Sequence, residues 1–150
     1  AAGVLGQIIG EGNSRLYWAL VDDGLCDEAS FEHSAEDGLG TFYGSLSCAP
    51  HDLETALERY RNVLETVSRD AVTREELGRA KKRLEVSLAL RFETPHSRLT
   101  SLAEDFIALS AYRSVPDLLE EVRGVTLDGV NAVLEAKPFE TLSVTTLTPA

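Results

Sequence analysis

Two alternating stretches on either side of Asp37-Gly38 constrain this chain more than anything else in it. From residue 27 to 35, Phe31, His33 and Ala35 share one face, and Ser30, Glu32 and Ser34 share the other. From 41 to 48, Phe42, Gly44, Leu46 and Cys48 again fall on one side. A period of two means strands, and an apolar face backed by a polar one means a sheet covered on one side only. Asp37-Gly38 sits where a positive φ costs little, so the two strands are expected to form an antiparallel hairpin.

The rest reads as helix. Residues 2 to 10 are small and apolar and form the end of a helix, broken by Gly10 and Gly12. Ser14 is placed to cap a helix through about Val21, with Leu16, Ala19 and Leu20 inward, and Asp22-Asp23-Gly24 stops it. Pro50 opens a long helix whose Leu53, Ala56, Leu57, Tyr60, Val63, Leu64 and Val67 follow the 3.6 period. Thr73-Arg74-Glu75-Glu76 is a capping box for the next, with Leu77, Ala80, Leu84, Leu88 and Phe92 inward. Thr94-Pro95 starts another, for which Leu99, Leu102, Ala103, Phe106 and Ile107 are expected to face the core. Ser114 opens a short helix to about Val122, and Thr126 caps one to about Glu135. Residues 141 to 147 alternate as a final strand.

Three strands with six or seven helices make an α+β fold, an antiparallel sheet with helices packed on one face. No linker, repeat or low-complexity run divides residues 1–150, so a single domain is expected. Three strands are few for such a fold, residue 1 is Ala and the chain holds no Met. An excised segment of a longer chain is therefore expected, with the first strand or strands upstream.

With 150 residues and 43% apolar composition, the chain has enough material for a core and is not a disordered segment. No apolar run approaches the ~20 residues of a membrane span, so no membrane partner is expected. A net charge of −11 repels phosphate backbones and disfavours nucleic acid. Arginine far outnumbers lysine, as in GC-rich bacteria, so the expected setting is the bacterial cytoplasm or periplasm. Cys26 and Cys48 are expected as buried free thiols rather than a bridge.

Local chemistry offers no catalyst. A catalytic zinc needs about three protein ligands and a water, and the only histidines are His33, His51 and His96. Neither H-x-x-E-H nor H-E-x-x-H occurs, nor a G-x-S-x-G elbow, a dinucleotide fingerprint or a phosphate loop. His33, Glu36 and Asp37 gather an imidazole and carboxylates at the hairpin end. This is a weak metal site in one reading and an exposed polar tip in the preferred one. His51 and His96 occupy first helical turns, at surface or capping positions. In the pairs Tyr17-Trp18 and Phe42-Tyr43, one member packs and the other faces out. No catalytic, substrate-binding or metal-ligating residue is assigned, which leaves a binding or structural role unless the chain works with another domain.

Several short motifs, in order, carry a resemblance. Gly12-Asn13-Ser14-Arg15-Leu16 forms a glycine-bearing turn into a helix, followed by Leu20 and Gly24-Leu25. Thr73-x-Glu75-Glu76-Leu77 with Ala80-Lys81, then Ser97-Arg98-Leu99, Val125-Thr126-Leu127-Asp128-Gly129-Val130-Asn131, and Leu142-Ser143-Val144 with Thr148-Pro149 complete the set. Together they resemble the insulinase/pitrilysin-type zinc peptidases, the group of the mitochondrial processing peptidase, over nearly the whole chain. The part resembled is their C-terminal domain, which holds no metal. The resemblance implies a non-catalytic domain that closes a substrate chamber against a zinc-bearing H-x-x-E-H domain located elsewhere. It further implies zinc in the parent or its partner, a peptide substrate and a dimer. In many members an Arg after the Leu and a Tyr three residues past the Gly donate hydrogen bonds to substrate. Those positions are Val21 and Asp27 here, and neither can replace the donors. Two arrangements follow: a zinc-bearing parent whose separate partner supplies the Arg and Tyr, or a zinc-free companion subunit that assembles with an active protease.

Overall fold

The computed structural model describes residues 1–36 and 38–148, with the backbone but not the side chain of Glu36. Helix α1 (Ala2–Gly10) leads through a turn to a short helical segment that widens into a π-turn at Tyr17–Val21. Ser14 Oγ accepts from Tyr17 N at 3.2 Å, the cap expected of it. Strands β1 (Glu28–Glu36) and β2 (Leu39–Ser47) form the hairpin, antiparallel, with Phe31 opposite Gly44 and His33 opposite Phe42. The faces are those read from the alternation. Gly38 has φ +79°, whereas Asp37 of the expected turn lies outside the described residues.

After a 3₁₀ turn at Pro50–Asp52 come α2 (Leu53–Asp70), α3 (Arg74–Arg91), α4 (Pro95–Leu109), α5 (Val115–Gly124) and α6 (Leu127–Glu135). Side-chain caps open α3 to α6: Thr73, Thr94, Ser114 and Thr126 each accept from the backbone N–H three residues on. The Thr73–Glu76 capping box is complete in both directions.

The fold is α+β, with α1 and α2 packed against the hairpin. Leu5, Ile9, Leu16, Leu20, Leu64, Val67 and Val130 are fully enclosed, so the core joins α1, the π-turn, α2 and α6. Two glycines permit the close approach of helix to hairpin. A Cβ on Gly10 would lie 2.2 Å from Phe31 N, and one on Gly44 1.8 Å from Tyr60 Oη. Tyr60 Oη donates to Ser30 O at 2.7 Å, tying α2 to β1.

Two expectations fail. Residues 141–147 make no ladder, so among the described residues the sheet has two strands. Alternation predicts which side chains share a face, but a strand exists only beside another strand. The stripe of α4 points outward: Leu99 is 66% exposed, Phe106 68% and Ile107 83%, with Leu102 and Ala103 exposed too. Its buried residue is Asp105, which accepts from Arg113 Nε at 3.2 Å while Arg113 Nη1 donates to Glu121 at 2.9 Å. Arg98 Nε donates to Phe92 O at 2.6 Å. These polar ties anchor α4 at Asp105, while nearly every other position of the helix faces solvent and its apolar stripe finds no cover among the described residues.

Candidate functional site

The first motif and the second meet in space. Arg15 forks onto Glu76, Nε to Oε1 at 2.7 Å and Nη2 to Oε2 at 3.0 Å, and Nη2 also donates to Ala71 O at 2.8 Å. Glu76 accepts as well from Thr73 N at 2.9 Å and Thr73 Oγ1 at 2.8 Å. Burial pushes the Glu76 carboxyl up. The donors from Arg15 and Thr73 and the Arg15 charge outweigh it and hold the carboxyl at about 2. This is a structural junction that pins the turn after α1 to the start of α3. The later motif is a tie too: Asn131 Oδ1 accepts from Val72 N at 3.2 Å. Residues matched as a family pattern thus serve the fold, because fork and cap geometry require those side chains at those places.

A groove of about 1060 Å³ opens between β2, α2 and residues 138–148. Its floor is an aromatic set. Phe31 and Phe42 stack at 5.5 Å, and Phe139 meets both edge-on at 5.4 and 5.3 Å. β2 along its rim is largely exposed and, among the described residues, pairs only with β1, so its other edge presents free backbone donors and acceptors. Sequence reasoning missed this groove, since its far wall is the segment expected as a strand. The run Pro138-Phe139 was its available signal.

The histidines stay apart. His33 is half-buried on β1 with its ring 4.9 Å from Phe42, whereas His51 and His96 are exposed on the turn before α2 and at the start of α4. Asp37 and the Glu36 side chain of the hairpin-end grouping lie outside the described residues. Among the described residues no three His, Cys, Asp or Glu side chains gather as a metal ion would require, and they do not fit a zinc ion. Val21 is half-buried at the end of the π-turn. Asp27 is exposed just before β1, its N–H donating to Ser47 O at 2.8 Å. Cys26 is buried and Cys48 half-buried, both free. Burial first, and then Cys48 alongside, push the Cys26 thiol up. Among the described residues no helix is long and apolar enough to cross a membrane.

Residues 1–84, more than half the chain, match the family model described as the peptidase M16 inactive domain. The chain belongs to that family. The resemblance carried by its motifs is borne out, and similarity to a relative extends past the matched span. An uncharacterized zinc protease of Bacillus subtilis (strain 168) is 25% identical over 151 residues, covering 98% of this chain. The chain spans only 36% of that relative's length. Among solved structures, the inactive peptidase domain of a candidate zinc protease from Bordetella parapertussis superposes with TM-score 0.72 at 24% identity. That match covers 89% of this chain and 74% of that one. A chain of complex III2 from Candida albicans gives TM-score 0.78 at 13% identity, covering 90% and 35%. At these identities the structures establish the fold alone.

Proposed function

We propose that residues 1–150 form one domain, the non-catalytic C-terminal domain of a zinc endopeptidase. It closes a substrate chamber against a zinc-bearing domain elsewhere in the parent chain or in a partner subunit. The outward apolar face of α4 carries this reading. Leu99, Leu102, Phe106 and Ile107 are exposed along one side of α4, and Val86 and Leu90 are exposed on α3; an apolar stripe left in water marks an interaction surface. A covering domain supplies the missing partner. The name of the Bacillus subtilis relative, and this chain's share of its length, support a zinc-bearing remainder.

The division of labour makes chemical sense. Zinc-assisted peptide hydrolysis gains from a closed, dry chamber and from an extended peptide held still, and a second half provides both without holding metal. The free edge of β2 is suited to an extended peptide, because backbone pairing tolerates varied sequences. Val21 and Asp27 offer no donors in place of the Arg and Tyr, so such donors would come from another subunit. A second reading, a zinc-free companion subunit, is favoured by those two residues.

The test is zinc content per chain in the full-length parent, with the 150-residue chain as control. About one zinc per parent chain and none in the control supports the catalytic parent. A zinc-free parent that co-purifies with a metal-bearing chain moves the assignment to the companion reading. A zinc-free parent with no such companion overturns both.

A further inference from the structure

The base of the hairpin sets two thiols against each other. Cys26 stands just before β1 and Cys48 just after β2. The regular ladder ends with Glu28 opposite Ser47. Asp27 N–H also donates to Ser47 O, at 2.8 Å, so two residues of one strand oppose one of the other. That is a β-bulge, and it shifts the pairing by one residue. One step further along, the shift brings Cys26 opposite Cys48, where an unshifted ladder would set Asp27. Both side chains fall on the core side. Cys26 is 4% exposed within the core, and Cys48 packs against that core from the wall of the groove. The two thiols are close enough to act on each other directly.

This placement suits a bridge. Residues directly opposite in an antiparallel pair have Cα atoms about 4.5–5.5 Å apart. A disulfide spans roughly 4.4–6.8 Å between Cα atoms, so the backbone need not move to accept one. Cys26 N–H donates to Leu20 O at 2.9 Å and Asp52 N–H to Ala49 O at 2.9 Å, so a fixed turn flanks each thiol. The two differ in access. Cys48 lines a groove of about 1060 Å³, which admits a small molecule, whereas Cys26 is enclosed. Burial first, then Cys48 and the Asp27 and Asp52 carboxylates, push the Cys26 thiol up. Reaction with an outside reagent therefore begins at Cys48 and finishes at Cys26.

We propose that Cys26 and Cys48 are a redox modification site, which small-molecule disulfides convert to a reversible intramolecular bridge across the base of the hairpin. Cys48 Sγ, as thiolate, attacks one sulfur of the small disulfide, whose S–S bond breaks and releases the first thiolate. That thiolate takes up a proton in place of the one Cys48 gave to solvent. Cys26 Sγ then attacks Cys48 Sγ, the mixed disulfide breaks, and the second departing thiolate takes the Cys26 proton. Two electrons leave the protein, and one small disulfide becomes two thiols. The bridge closes a loop of roughly 20 residues, and restricting the unfolded chain in this way raises stability. It also fixes the end of β2 where the strand enters the groove wall. The site does not rest on the zinc reading.

The reduced full chain is incubated with oxidised glutathione, quenched with acid, alkylated and digested without reduction. Mass spectrometry should show the loss of two hydrogens, no retained glutathione, and one peptide pair joined through Cys26 and Cys48. The bridged form should melt at least about 5 °C higher, and dithiothreitol should reverse both changes. Cys26→Ala should instead keep glutathione on Cys48, and Cys48→Ala should react at least about tenfold more slowly. Should either variant lose its helical circular dichroism, the peptide mapping and the melt of the unsubstituted chain carry the test. No reaction, glutathione retained on the unsubstituted chain, a bridge only between two chains, bridging that needs denaturant, or a bridged form that melts no higher overturns the proposal.

Discussion

Replacing Glu76 with glutamine tests the junction on which the fold depends. The folded chain holds this carboxyl at about 2, against an ordinary 4.5. At 1.36 kcal/mol per pH unit, that difference corresponds to ~3 kcal/mol of preferential stabilisation of the ionised form. Arg15 and Glu76 keep 21% and 16% of their side-chain surface in solvent, and screening brings the expected net contribution to about 2 kcal/mol. Glutamine retains the size and one acceptor for the capping box, so the loss isolates the charge. Because the folded-state value is depressed, the contribution is complete above about pH 5 and fades as the pH falls toward about 2. Urea denaturation followed by circular dichroism near pH 7 should show Glu76→Gln less stable by about 2 kcal/mol, roughly 4–8 °C in melting temperature for a chain of this size. Repeated near pH 2.5, the gap should shrink to less than about half. A neutral-pH loss under about 0.5 kcal/mol, or a gap that ignores pH, would refute the view that a charge-assisted fork pins α3 to the turn after α1.

Three further outcomes follow from the same structure. Gly10→Ala should destabilise by roughly 2 kcal/mol or more, since its Cβ would lie 2.2 Å from Phe31 N, whereas Gly3→Ala, with nothing within 4 Å, should be neutral or slightly stabilising. Thermal melts of the two variants compare them directly. Ala71 has φ +61° and ψ −170°, a region suited to glycine, so Ala71→Gly should raise stability by about 1 kcal/mol in urea titrations. Buried and with its thiol pushed up, Cys26 should react with iodoacetamide more slowly than Cys48 in the native chain, and the difference should vanish in denaturant; equal native rates by mass spectrometry would contradict the burial.

The sequence by itself determined the hairpin, its register-bearing faces and the helix boundaries. These are local matters: Gly38 at a positive φ, alternation on both sides of it, and Thr73, Thr94, Ser114 and Thr126 each capping the N–H three residues on. It also carried the family, because the turn at Gly12–Leu16 and the capping box at Thr73–Glu76 must be those residues for Arg15 to reach Glu76. What covers each apolar face was decided only in three dimensions. The period of α4 marks Leu99, Phe106 and Ile107 as one stripe, but periodicity is silent on whether a partner lies in this chain. Among the described residues nothing covers that stripe, and the buried side chain of α4 is Asp105, held by Arg113. Residues 141–147 alternate as a strand does, yet strand formation is a property of two segments at once, and among the described residues no second segment pairs with them. The tie from Arg83 to Gln7 O was likewise invisible, since it depends on α1 and α3 converging from positions 76 residues apart, and burial of one guanidinium nitrogen is a property of that convergence alone.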